Sequence, residues 1–144
     1  MTLVMSNSLR EILFNAKRKD NGKWVEGYYQ KRYDLLGNEV HLIFHADSYT
    51  VWEYAEVDPE TLCWFTGRCD RYGNKIWEND ILMAHLDESY PEDETYVAVE
   101  WNVAGWVTHE AGSTDREYLD EFDLEHFEVV GNIFDNKELL QEAE

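Results

Sequence analysis

The run Trp64-Phe-Thr-Gly-Arg-Cys-Asp-Arg-Tyr-Gly-Asn-Lys-Ile-Trp-Glu-Asn-Asp-Ile-Leu, ending at Leu82, narrows the possible folds more than any other part of the chain. Two apolar, aromatic runs flank Asp70-Arg-Tyr-Gly-Asn, and Gly73 and Asn74 are the residue types that take positive φ most easily. A tight reversal therefore falls there. Ile76-Trp77 resumes an extended run, and Glu78-Asn79-Asp80 punctuates it before Ile81-Leu82-Met83. The pattern predicts the first turns of a small antiparallel barrel. It is a fold signature, not a catalytic one.

Similar punctuation runs through the chain. A strand from Arg10 to Lys17 is broken by Asp20-Asn21-Gly22, where Asn-Gly suits a type I′ hairpin, and Lys23 to Gln30 returns as its partner. A second reversal at Leu36-Gly37-Asn38-Glu39 leads into a strand from Val40 to His45. Tyr49 to Val57 is rich in β-formers and is ended by Asp58-Pro59, so residues 1–57 read as a β-meander lobe. Pro59-Glu-Thr makes a turn or one helical step. Further strands are expected from Leu62 to Thr66, from Lys75 to Ala84 and from Phe127 to Phe134, the last with Gly131 as a kink or bulge. Tyr96-Val-Ala-Val-Glu-Trp alternates strictly, which puts Val97, Val99 and Trp101 on one face, and Trp106 to Glu110 returns as its hairpin partner. Thr114-Asp-Arg-Glu fits a capping box, predicting a short helix from Asp115 that carries Tyr118, Leu119 and Phe122. Asn136 is placed as the cap of a last short helix from Lys137 to Glu142. The expected class is mainly β, α+β at most, with residues 58–144 forming a small barrel lobe and one or two short helices.

At 144 residues the chain suits one domain or two small lobes, and an aromatic content of 15% supplies ample surface for a core despite a mean hydropathy of -0.60. Two prolines and eight glycines leave no Pro- or Gly-rich linker. No internal repeat is obvious. Thirty-one acidic residues against twelve basic ones give a net charge of -19, which disfavours direct binding to nucleic acid or anionic membranes and favours a basic protein partner. Cys63 and Cys69 lack C-x-x-C spacing and read as reduced thiols. With no apolar leader and no long apolar span, a cytoplasmic protein is expected.

Candidate chemistry is sparse. His41 and His45 lie on a β-like run, about 13 Å apart at the strand rise, too far for one metal ion; His85, His109 and His126 are scattered. Glu78 and Asp80 share a face if the strand is continuous, as a carboxylate dyad would need. In a turn, Asp80 instead accepts backbone N–H bonds as a side-chain cap. None of the nucleotide-binding, zinc-protease or serine-hydrolase fingerprints occurs. The six tryptophans, Trp24, Trp52, Trp64, Trp77, Trp101 and Trp106, are expected in the core or at a subunit interface.

Three blocks resemble the YopX family of phage and prophage proteins. They are Arg10-Glu-Ile-Leu-Phe-Asn-Ala; Val57-Asp-Pro-Glu-Thr-Leu with Phe65-Thr-Gly and Asp70 through Ile81; and Val129-Val-Gly-Asn-Ile-Phe-Asp-Asn-Lys-Glu-Leu-Leu. Where the family pattern more often has Glu-Gly-Asp, this chain has Glu78-Asn79-Asp80, and Asn is the usual substitute for Gly at positive φ. The resemblance implies a largely β protein of phage or prophage origin, with an SH3-like barrel in its C-terminal part and no assigned activity. It offers no catalytic residues to carry over. The expected function is a non-enzymatic module that binds a host or phage protein, as a homo-oligomer and without cofactor or metal. In one version Asp87, Glu88, Glu92, Asp93 and Glu94, with the carboxylates from Asp115 to Glu128, mimic nucleic-acid phosphates. The alternative is an enzyme whose site is assembled from carboxylates and histidines.

Overall fold

The computed structural model describes residues 11–46, 51–85, 94–120 and 124–140. The protein is mainly β, as the sequence predicts: the described residues form two antiparallel sheets and two short 3₁₀ helices, Pro59–Thr61 and Lys137–Leu140. The chain divides into two compact units, Met1–Gly67 and Arg68–Glu144.

The first sheet contains β1 (Phe14–Lys17), β2 (Trp24–Tyr33), β3 (Glu39–Ala46), β4 (Trp52–Glu56), β5 (Cys63–Cys69) and β6 (Lys75–Trp77), in the order β4-β3-β2-β1-β5-β6. Its first four strands are a meander. The meander curls because β2 changes partner midway: Phe14 lies opposite Gly27, whereas Tyr28 lies opposite Phe44. A Cβ at Gly27 would stand 2.1 Å from the Phe44 carbonyl oxygen, so only glycine permits this close approach. At one end the curl closes on itself. Arg18 bridges Val57, the Lys19 N–H donates to the Glu56 carbonyl at 2.9 Å, and the Asp58 N–H donates to the Lys17 carbonyl at 2.9 Å. The 3₁₀ turn reinforces this end, since the Lys17 N–H donates to the Thr61 hydroxyl at 2.8 Å. Inside lie Phe14, Ala16, Ile43, Ala55 and Val57, with Val25, Tyr29 and Leu62 packed against them. Each fully buried branched side chain contributes about 1.5–3 kcal/mol.

The first hairpin falls where expected, but its turn is not type I′. Gly22 has φ 72, whereas Asn21 does not enter the positive-φ region. A longer turn forms instead: the Gly22 N–H donates to the Arg18 carbonyl at 2.9 Å, and Asn21 Oδ1 accepts the Lys23 N–H at 2.9 Å. One left-handed residue, Gly22, and the Asn21 side chain together close this hairpin, where a type I′ turn would need two left-handed residues.

The second sheet contains β7 (Asp80–His85), β8 (Glu94–Asn102), β9 (Gly105–Glu110), β10 (Glu117–Tyr118) and β11 (Glu128–Asn132), in the order β10-β9-β8-β7-β11. Ile76, Leu82, Val97, Val99 and Leu119 form the second unit's core, with Trp106, Leu124, Phe127 and Val129 against them. The alternation of β8 holds for Val97 and Val99, while Trp101 leaves the core and pairs edge-on with Trp106 at 4.9 Å. The bulge expected at Gly131 is present, between Val129 and Gly131.

Three expectations need correction. The strand predicted from Lys75 to Ala84 is interrupted at Glu78-Asn79, giving β6 and β7. No helix starts at Asp115: Glu117 and Tyr118 pair with Thr108 and Val107, and the Leu119 N–H donates to the Trp106 carbonyl at 3.0 Å. The open edge of β9 supplies partners for this backbone that override an isolated capping motif. Asn136 does not turn its side chain to the last helix either; its Oδ1 accepts the Asn132 N–H at 3.2 Å and closes the preceding turn. Of the expected Lys137–Glu142 helix the structure shows Lys137–Leu140, and residues 141–144 lie outside the described residues.

Candidate binding surface and two buried carboxylates

The turn that the central run predicts is built around one carboxylate. The Asp70 N–H donates to the Asn74 carbonyl at 2.8 Å, the Gly73 N–H donates to the Asp70 carbonyl at 3.0 Å, and Gly73 takes φ 84. Asp70 Oδ1 accepts the N–H groups of Tyr72 at 2.9 Å and Asn74 at 2.8 Å. Its Oδ2 accepts Asn74 Nδ2 at 3.1 Å and, from β11, the Val129 N–H at 2.9 Å. Burial alone would raise the Asp70 pKa, but the hydrogen bonds from Val129, Asn74 and Tyr72 prevail and hold it below the ordinary carboxylate value.

Asp80 is displaced the other way. It is buried, and that burial pushes its pKa to about 7, against the Trp77 N–H that Oδ2 accepts at 2.8 Å and with help from the negative charge of Asp70. The capping role expected of Asp80 is therefore observed. The Glu78–Asp80 dyad is not supported, because the two residues do not share a continuous strand. Asn79 between them has φ 71, the conformation inferred from its place in the Glu-Asn-Asp sequence, and its backbone accepts the Ile133 N–H at 3.0 Å and donates to the Val99 carbonyl at 2.8 Å. Two carboxylates with pKa values driven apart are what acid–base chemistry exploits. Here both accept backbone amides at turns.

The histidines stay apart. His41 Nδ1 meets the Tyr29 hydroxyl at 2.6 Å and its Nε2 meets Glu39 at 3.3 Å, while His109 contacts Glu100 at 3.2 Å and the Ser113 carbonyl at 2.5 Å. Among the described residues no group of three or more His, Cys, Asp or Glu is arranged to hold a metal ion. Cys63 is buried and Cys69 exposed, with no disulfide between them. Of the acidic residues proposed as a contact, Glu94 is exposed at the start of β8; Asp87, Glu88, Glu92 and Asp93 lie outside the described residues.

A feature the sequence reading did not find is an aromatic row on the outer face of the first unit. The register sets Tyr28 on β2, Phe44 on β3 and Tyr54 on β4 directly across from one another, opposite in sense to the half-buried Tyr29 and the buried Ile43 and Ala55. Trp52, two residues before Tyr54, shares this face. Ring centroids lie 5.8 Å apart for Phe44–Tyr54 and 6.1 Å apart for Tyr28–Trp52, and the Arg32 guanidinium sits 5.3 Å from the Phe44 ring centre. Tyr28, Trp52 and Tyr54 are 49%, 57% and 66% exposed. The six tryptophans accordingly divide. Trp77 is buried, Trp106 packs on the core and Trp24 is half-buried, while Trp52, Trp64 and Trp101 are exposed.

Charge is segregated as well. Residues 1–67 carry 7 basic and 10 acidic side chains, net -3, whereas residues 68–144 carry 5 basic and 21 acidic ones, net -16. No helix among the described residues is long and apolar enough to cross a membrane.

These features define an all-β protein with an exposed aromatic sheet face and two carboxylate-centred turns. The model of the family described as YopX protein matches residues 13–141, and the chain belongs to that family. A crystal structure of protein EF1440 from Enterococcus faecalis is similar in fold, with a TM-score of 0.59 at 19% identity, covering 92% of this chain and all of that one. No curated protein matches.

Proposed function

We propose that this chain is an accessory protein of a phage or prophage that acts by binding another protein rather than by catalysis. The observation that carries the reading is the row Tyr28–Phe44–Tyr54 with Trp52. Tyr28, Tyr54 and Trp52, aligned on adjacent strands around the half-buried Phe44, are exposed aromatics of the kind that interfaces enrich. The charge of -16 beyond residue 67 favours a basic partner, attracted over the Debye length and less so as salt rises. A nucleic-acid-binding protein captured by acidic mimicry is the special case in which the carboxylates carry the contact.

The test is affinity capture from host cells with wild-type protein, Tyr54→Ser and Trp52→Ser, at low and moderate salt. The reading expects a partner held by the wild type and lost, by tenfold or more in recovery, from each variant. Mimicry expects instead a nucleic-acid-binding protein that both variants retain and that salt alone removes. Equal capture of every protein by all three, at both salt concentrations, would contradict both.

A further inference from the structure

We infer that the aromatic row binds its partner by strand addition at β4, and that the added segment alternates apolar or aromatic residues with a basic residue at its centre. This rests on the protein-binding reading above and specifies its geometry.

Among the described residues β4 is the outermost strand of its sheet. The Val57 N–H donates to the His41 carbonyl on β3, so by alternation the backbone groups of Ala55 and Glu53 also face β3. Those of Trp52, Tyr54 and Glu56 face the other way. The Glu56 carbonyl is already taken by the Lys19 N–H, where the curl closes. What remains directed outward is the stretch around Trp52 and Tyr54, which carries the most exposed rings of the row. An added strand would extend the ladder Tyr28–Phe44–Tyr54 by one more residue, with main-chain bonds giving affinity and alternate side chains giving specificity.

Glu53 decides what the added strand is. It lies between Trp52 and Tyr54 on the opposite face and is exposed. Arg18, whose charge interacts with Glu53, is committed to Asp20 through a bidentate pair at 3.0 and 2.9 Å. If a second copy of this chain added its own β4 antiparallel, using both Trp52 and Tyr54, Glu53 would stand opposite Glu53, a directly opposed like-charge pair. The net charge of -19 adds to that repulsion. A segment with Lys or Arg at the centre turns the same position into an attraction, and its flanking side chains reach the rings of Trp52 and Tyr54.

The probe is the capped peptide Thr-Tyr-Lys-Tyr-Thr, titrated into isotopically labelled full-length protein and followed by amide shifts, beside a Glu-centred peptide and one N-methylated at alternate amides. The inference expects shifts centred on Trp52 and Tyr54, binding about tenfold weaker for the Glu-centred peptide, loss for the N-methylated one, and reversal of the Lys-over-Glu preference in Glu53→Lys. Equal binding of the N-methylated peptide, or an unchanged preference in Glu53→Lys, would overturn strand addition. So would silence of the peptide toward a wild type whose cellular partner is still lost in Tyr54→Ser; that result leaves the protein-binding reading standing and removes only its geometry.

Discussion

Asp34-Leu-Leu-Gly-Asn38 and Asp70-Arg-Tyr-Gly-Asn74 are the same turn made twice. In each, the Asp N–H donates to the Asn carbonyl, at 2.9 and 2.8 Å, and the Gly N–H donates back to the Asp carbonyl at 3.0 Å. In each, one carboxylate oxygen accepts two backbone amides and the other accepts the Asn side chain. Both glycines have φ 84. The surroundings differ. The first turn is exposed, with Leu35 and Leu36 in solvent, whereas Asp70 is 6% exposed and accepts a further bond from Val129, 59 residues away. Arg71 adds a second tie to the same region, its N–H donating to the Phe127 carbonyl at 3.2 Å. One motif thus serves as a local hairpin closure in the first unit and as a long-range clamp in the second.

The largest expected effect follows directly. Asp70→Ala removes the acceptor for four donors, one of them on β11, and is expected to lower stability by about 4–5 kcal/mol at neutral pH. Asp34→Ala should cost much less, because water replaces its carboxylate. Urea midpoints of the two variants measure the difference, and equal losses would show that the bond to Val129 contributes nothing.

Asp70 and Asp80 also make opposite contributions to pH dependence. The folded pKa of Asp70 is depressed, so its contribution is present above about 3.8 and is lost as pH falls below it. That of Asp80 is raised from 3.8 to about 7, so the folded state keeps a proton that the unfolded chain releases. Its contribution is fully present below about pH 4 and is lost as pH rises towards 7, a change of about 2–4 kcal/mol across the window. Asp80→Asn retains an oxygen for the Trp77 N–H and cannot ionise. It should flatten the fall in stability between pH 4 and 7 while leaving the acid limb set by Asp70 intact. A variant with the wild-type slope would place the titration elsewhere.

What the sequence makes legible here is local. Gly-Asn and Asp-Pro punctuation and the strict alternation of residues 96–99 locate most strands, because those signals act within a few residues. The clamp was not legible, since nothing near Asp70 announces Val129; the shared Asp-x-x-Gly-Asn spacing marks the turn but not its second partner. The aromatic row was hidden for a related reason. Tyr28, Phe44 and Tyr54 meet only through the register of three strands, and Gly27, where β2 changes partners, gives no sign in sequence that its Cβ would strike Phe44. The helix expected at Asp115 shows the reverse error, a valid local motif overruled by pairing with β9.

The smallest expected effect is the sharpest control on the comparison. Gly37 and Gly73 share φ 84, and a Cβ on either meets no atom within 4 Å, so alanine at each position introduces the same left-handed strain and no clash. Gly37→Ala and Gly73→Ala are each expected to destabilise by about 1 kcal/mol, equal within a few tenths. Equality would mean that the turns are interchangeable as backbone and that their difference resides in what the Asp70 carboxylate reaches. If Gly73→Ala proved several-fold worse, strain at the turn itself would be transmitted to β11, and part of the Asp70→Ala loss would belong to the backbone rather than to the hydrogen bond with Val129.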